Sequence, residues 1–359
     1  SREEIIMTSG TTASVNLVAF SFGEAFVGAG DEVIVTEAEH HSNIVPWQMM
    51  CKRKGAVLKV LPVDESGHLR VELLNELISD RTRIMAVTHI SNVLGLINPV
   101  GEIIELCHSR NVPVFVDGAQ GAVHCKVDVQ EMDCDFYAFS GHKLYAATGT
   151  GVLYGKKKWL EAMPPYMGGG EMVGTVSFVE TTYAPLPMKY EAGTQNFASA
   201  ATLKPALEYI KLLNDNDLIS YNDAIRDYIF KALSEDSRIR IFGVPRGTSE
   251  EKIPLFSFVV NGVHHEDLAL ILDKMGIAVR SGQMCAEPVM DRFGVTGMLR
   301  VSVAPYNTME EAEYFVKCLN KAIEHADYVL NDIQKTYDED NLENPTQSNT
   351  VKDHLTIDW

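Results

Sequence analysis

VPVFVDGAQGAVHCKVDVQEMDCDFYAFSGHKLY, residues 112–145, holds two short apolar runs, VPVFVD (112–117) and DFYAF (135–139). Runs of that length, rich in β-branched and aromatic residues, read as strands buried on both faces. Each leads directly into polar groups: Asp117 closes the first, and Ser140-Gly141-His142-Lys143 follows the second. Upstream, 100–110 carries Ile103, Ile104 and Cys107 at helical spacing on one face. Further runs at 32–36 (EVIVT), 57–61 (VLKVL), 83–88 (RIMAVT) and 151–155 (GVLYG) repeat the strand signature, with helical stretches between several of them. Strands alternating with helices predict an α/β architecture, a mostly parallel sheet flanked by helices. In such sheets, ligands sit beyond the carboxyl ends of the strands.

A second regime follows a loop marked by Pro164, Pro165 and three consecutive glycines, 168–170. Helical patterns at 198–214 and 218–236 lead to a strand run at 253–260 (IPLFSFVV), a helix at 265–275 and short strands at 277–280 and 298–303. A last helix spans 308–333. This order predicts a smaller C-terminal α+β domain. The expected division is a large domain over 1–224, a small one over 225–337, and a flexible acidic tail over 338–359.

The chain has 359 residues, 31 basic against 49 acidic, and a formal net charge of -18. That balance argues against nucleic acid or an anionic membrane as partner. No apolar run approaches the ~18 residues of a spanning helix, and no secretory signal opens the chain. The cysteines are scattered without a C-x-x-C pair, which predicts reduced thiols in the cytoplasm and no metal site.

Three constellations carry chemistry. Thr8-Ser9-Gly10-Thr11-Thr12 lies between a strand and a helix, where unpaired N–H groups make a ready phosphate site; ordinary helix capping competes with that reading. Asp117 and Lys143 each follow a strand. A buried carboxylate can hold a pyridinium nitrogen, and an enclosed lysine can form a Schiff base. Together they match the needs of pyridoxal phosphate. The third is the loop 280–288, RSGQMCAEP, where Cys285 is bounded by Gly and Pro with Arg280 nearby. Cys107 and Cys318 fall on apolar helix faces and read as structural, as do Cys125 and Cys134. Of the adjacent pair His40-His41, at most one should face a given site.

The motifs TSGTTASVNLVA (8–19), EHHSNIVPWQ (39–48), THISNVLG (88–95), VDGAQ (116–120), FSGHK (139–143), YEAGTQN (190–196) and RSGQMCAEP (280–288) together resemble the SufS-type, group II cysteine desulfurases. These are fold-type I pyridoxal phosphate enzymes of aminotransferase class V, and the likeness spans roughly residues 4–330. The resemblance implies that Lys143 is the Schiff-base lysine and general base, and that His40 stacks on the cofactor ring. Asp117 would pair with the pyridine nitrogen and Gln120 with the phenolic oxygen. Thr11, Thr12, Ser140 and His142 would hold the phosphate. Thr194 would reach the phosphate of a neighbouring subunit, which implies a homodimer. Asn92 and Arg300, assisted by Arg280, would clamp the substrate carboxylate, and Cys285 would be the nucleophile.

The implied reaction converts L-cysteine to L-alanine, leaving a persulfide on Cys285 for a sulfur-acceptor protein of iron–sulfur cluster assembly. Alternatives are a selenocysteine lyase or cysteine-sulfinate desulfinase of the same group, or a truncated protein that only binds a partner. Three departures stand out. Gln283-Met284 precedes the cysteine where the family commonly has a histidine. Ala146-Ala147 replaces Gly-Pro. An N-terminal segment common in the family is expected to be absent.

Overall fold

The structure, a computed structural model, describes residues 1–215 and 218–343, with side chains described except at 214–221 and 327–343. Seven strands form the main sheet: β1 (Ile5–Thr8), β2 (Glu32–Thr36), β3 (Val57–Leu61), β4 (Thr82–Thr88), β5 (Val114–Asp117), β6 (Phe136–Ser140) and β7 (Gly151–Gly155). Their order is β1-β7-β6-β5-β4-β2-β3. Only β7 runs against the rest, pairing antiparallel with both β1 and β6.

Side chains alternate across this sheet, and both faces are covered. Val33, Val35, Ile84, Ala86, Phe115 and Phe136 meet Phe22, Trp47 and Met50 from the helices Thr11–Phe26 and Val45–Lys54. Ile34, Met85, Val87, Val114, Val116 and Tyr137 face the other way. They pack on Ile103, Ile104 and Cys107 of the helix Val100–Ser109. Two-sided burial explains why the strands read as continuous apolar runs rather than alternating ones.

Beyond the sheet, a hairpin of β8 (Val173–Val176) and β9 (Thr181–Tyr183) forms within the stretch expected to be loop. The second sheet contains β10 (Ile239–Phe242), β11 (Leu255–Val260), β12 (Arg280–Gly282) and β13 (Met298–Ser302), ordered β10-β11-β13-β12 and antiparallel throughout. Phe256, Phe258 and Leu299 pack against Ile225 and Ile229, Leu268 and Leu272, and Phe315 and Leu319 of three helices.

Several local expectations are corrected. β10 has only four residues, with Arg240 exposed in its middle, too short for a period to register. The short strand predicted at 277–280 forms instead as β12. Pro288 reads as a breaker, yet it sits in the first turn of a helix, Glu287–Phe293, where a missing N–H costs nothing. The last helix, Met309–Glu343, continues through 338–343, where the acidic tail was expected to begin. Scarcity of apolar groups marked that stretch as tail, but extending a helix already formed from Met309 needs no new nucleus. Residues 344–359 of the expected tail lie outside the described residues. Among the described residues no helix is long and apolar enough to cross a membrane.

Candidate active site

The carboxyl ends of β1, β2, β4, β5 and β6 open on one side of the sheet, and their continuations line a cleft of about 180 Å³. Thr11, Thr12, His40, Asn92, Asp117, Gln120, Ser140, His142 and Lys143 all border it, together with Ser42, Thr88 and Ile90. Larger clefts exist elsewhere on the molecule. The convergence of titratable groups singles this one out, not its size.

Each wall has a local cause. Gly10, at φ +142°, lets the chain turn from β1 into the helix Thr11–Phe26. Gly10 offers no side chain to cap that helix. Ser140, arriving from β6, does so instead: its Oγ accepts the Thr11 amide at 2.8 Å and lies 2.9 Å from the Thr11 hydroxyl. This is a helix N-terminus fringed with hydroxyls, aimed into the cleft. Lys143 follows on the 3-10 turn Gly141–Leu144.

Burial sets the charge states. Asp117 is 3% exposed, and its Oδ1 accepts the Ala119 amide at 2.9 Å. Burial raises its pKa, opposed by that hydrogen bond and by Lys143. Lys143 is lowered, first by its own burial and then by Arg300 and Arg280, against the pull of Asp117. His40 falls to about 4, through burial and the nearby Lys143, His41 and Arg280. Its imidazole is therefore neutral near pH 7, and Nδ1 is held by the Ser42 amide (3.0 Å) and hydroxyl (2.8 Å).

The cysteine loop comes from the second sheet. Cys285 is exposed, the one exposed thiol of the six. Asn92 donates from Nδ2 to the Met284 carbonyl at 2.9 Å, and the His41 amide donates to the Cys285 carbonyl at 2.8 Å. Arg300 donates from Nη1 to the Asn92 carbonyl at 2.9 Å, while its buried Nε has no partner. Arg280 is exposed on β12, in register opposite Arg300.

Residues 1–315 match the profile of the family described as aminotransferase class V. The chain belongs to that family. Among its relatives is a cysteine desulfurase of Cronobacter sakazakii, 46% identical over 88% of this chain and 76% of that protein. A probable cysteine desulfurase of Vibrio cholerae is 44% identical over 90% of this chain and 79% of its own. Of solved structures, the Escherichia coli cysteine desulfurase CsdA, in its S-sulfonic acid form, matches with a TM-score of 0.84 at 43% identity. That match covers 90% of this chain and 79% of the other. The apo enzyme from Thermococcus onnurineus NA1 matches at 0.85 and 34%, over 90% and 80%.

The cofactor of this class V chain is pyridoxal phosphate, and the cleft fits it. Hydroxyls fringe a helix N-terminus at one end, a buried carboxylate lies in the floor, and a burial-depressed lysine borders both. Thr194 is exposed and does not border the cleft of its own chain.

One site-building residue went unread in the sequence. Glu39 is wholly buried and accepts from the Thr36 hydroxyl (2.6 Å), the Thr88 amide (2.7 Å) and the Asn43 side chain (2.7 Å). Burial, with Asp117 nearby, pushes it up to about 8. It ties the ends of β2 and β4 to the His40 turn. The available signal was an acid wedged between the EVIVT strand and a tryptophan-bearing helix.

Proposed function

We infer that this chain is a pyridoxal phosphate-dependent cysteine desulfurase, converting L-cysteine to L-alanine with transfer of sulfur to Cys285. One observation carries the reading: the exposed thiol loop is tied by Asn92 and His41 to the cleft that holds Lys143 and Asp117. Class V aminotransferase chemistry needs the lysine and the acid but no thiol.

When bound, pyridoxal phosphate supplies an electron sink for the pair released at the substrate carbon. The residues would divide the remaining work. Thr11, Thr12, Ser140 and His142 hold the phosphate, Asp117 the ring nitrogen and Gln120 the phenolic oxygen. His40, neutral and fixed by Ser42, provides a flat face. Lys143, with a depressed pKa, is suited to take the proton from the substrate Cα. Arg300 offers its unpartnered Nε to the substrate carboxylate, with Asn92 beside it and Arg280 in support. The Cys285 thiolate attacks the substrate sulfur. An S–S bond forms as the Cβ–S bond breaks, and the carbon skeleton leaves as L-alanine after protonation. Two thiol-level sulfurs become one persulfide while the substrate Cβ is reduced from a C–S to a C–H carbon, so the step balances without an external oxidant.

The persulfide sits on an exposed loop, which supports hand-over to an acceptor protein, read from the resemblance as part of iron–sulfur cluster assembly. Six free cysteines support a reducing compartment. The fully exposed Phe178 and Val179 at the β8–β9 turn, and the exposed Thr194, support a homodimer with shared sites. Purified protein loaded with cofactor should show the visible absorption of the lysine-bound form and release L-alanine from L-cysteine. Lys143→Ala should abolish both. An unchanged spectrum in that variant removes Lys143 from its role.

A further inference from the structure

Cys285 stands on unusual backbone. Met284 and Cys285 have φ values of 56° and 57°, so two consecutive non-glycine residues occupy the left-handed region. Each such residue is strained and persists only where its surroundings impose it. The Met284 side chain is buried at 3% exposure, and Asn92 holds its carbonyl. The helix Glu287–Phe293 starts two residues after the thiol, and Ala286 at its N-cap position has no side chain with which to cap it.

His41 meets both needs. Its amide donates to the Cys285 carbonyl at 2.8 Å. Its imidazole Nε2 accepts the Glu287 amide at 3.2 Å, filling the capping role that Ala286 cannot. The carboxylate of Glu287 lies 3.9 Å from the same nitrogen. Accepting that amide requires the neutral ring with its proton on Nδ1. The 280–288 loop contains no histidine, so the imidazole that meets it at Glu287 comes from the turn after β2, one residue from the cleft-lining His40.

We propose that His41 is a positioning residue for Cys285: it clamps the left-handed loop at the Cys285 carbonyl and again at the Glu287 amide, and locks it to the His40 turn. The proposal rests on the desulfurase reading above. It explains why the adjacent histidines diverge: His40 serves the cleft and His41 serves the nucleophile. The side chain that acts is the imidazole, because any residue at 41 other than proline retains the amide.

The test uses the cofactor-loaded enzyme and two variants, His41→Ala and His41→Gln. Gln places a side-chain oxygen where Nε2 stood and can accept the Glu287 amide. Two quantities are read: the single-turnover rate of persulfide formation on Cys285, and the visible spectral response to L-cysteine as a function of its concentration. His41→Ala should slow persulfide formation about tenfold or more. The spectral response should hold within about twofold, because substrate binding does not use the loop clamp. His41→Gln should recover most of the lost rate. The assignment is overturned if Ala keeps the wild-type rate, if Gln is as slow as Ala, or if Ala loses cofactor or substrate binding. Absence of persulfide in the wild type would instead sink the desulfurase reading itself.

Discussion

At the scale of single residues, burial decides which groups can move protons. Lys143 and Asp117 share a cleft, and desolvation pushes both toward neutrality against their mutual attraction. His40, His89 and His124 are each depressed to about 4, chiefly by burial. A histidine whose folded pKa lies below its unfolded value favours the native state above about 6.5. That contribution is lost as pH falls from 6.5 toward 4. Glu39, raised to about 8, works in the opposite sense and loses its contribution as pH rises from 4.5 through 8. His89 is buried, 3.1 Å from the Tyr137 hydroxyl. Urea midpoints measured from pH 7 to pH 4 should therefore fall less steeply in His89→Gln than in the wild type. Parallel curves would mean that His89 is not held neutral by the fold.

At the scale of elements, the strand ends make the site, and most of that was legible. Asp117 and Lys143 stood out because each follows an apolar run, and a parallel sheet sends such ends to one side. Glu39 did not stand out, because its role lies in hydrogen bonds to Thr36, Asn43 and Thr88, a long-range set with no period. The left-handed geometry of Met284 and Cys285 was equally silent, since neither residue is a glycine. Glycine speaks more clearly where the chain leaves β1 beside the start of β7. A Cβ on Gly151 would lie 2.5 Å from the Gly10 Cα and 2.6 Å from the Phe139 carbonyl oxygen, both backbone atoms unable to swing aside. Gly151→Ala should cost about 1–3 kcal/mol of stability. It should also weaken cofactor retention, since Gly10 opens the hydroxyl-lined helix. Unchanged melting and cofactor content would show that the two strands can separate without loss.

At the scale of the molecule, the two sheets are joined through the site itself. Asn92 and His41 reach the cysteine loop, Arg300 reaches Asn92, and Ser257 donates to the Val93 carbonyl at 2.6 Å. Buried Lys252, pushed down to about 7 by burial, donates to the Leu94 carbonyl on the same seam. The composition reading of an acidic chain argued against nucleic acid but was blind to this seam, which depends on tertiary contacts. The exposed β8–β9 hairpin is the counterpart on the outside. The homodimer proposed above predicts that Phe178→Asp combined with Val179→Asp converts dimer to monomer in light scattering after gel filtration and reduces desulfurase activity with it. A double variant that stays dimeric and active would remove the hairpin from the interface. The central claim concerns Cys285, and its most direct test is mass analysis of the cofactor-loaded enzyme after a single exposure to L-cysteine without reductant. The account predicts one added sulfur on the peptide containing Cys285 and an equal amount of L-alanine, both lost in Cys285→Ser with the cofactor still bound. Undiminished L-alanine from L-cysteine in that variant, or added sulfur on another cysteine, would contradict it.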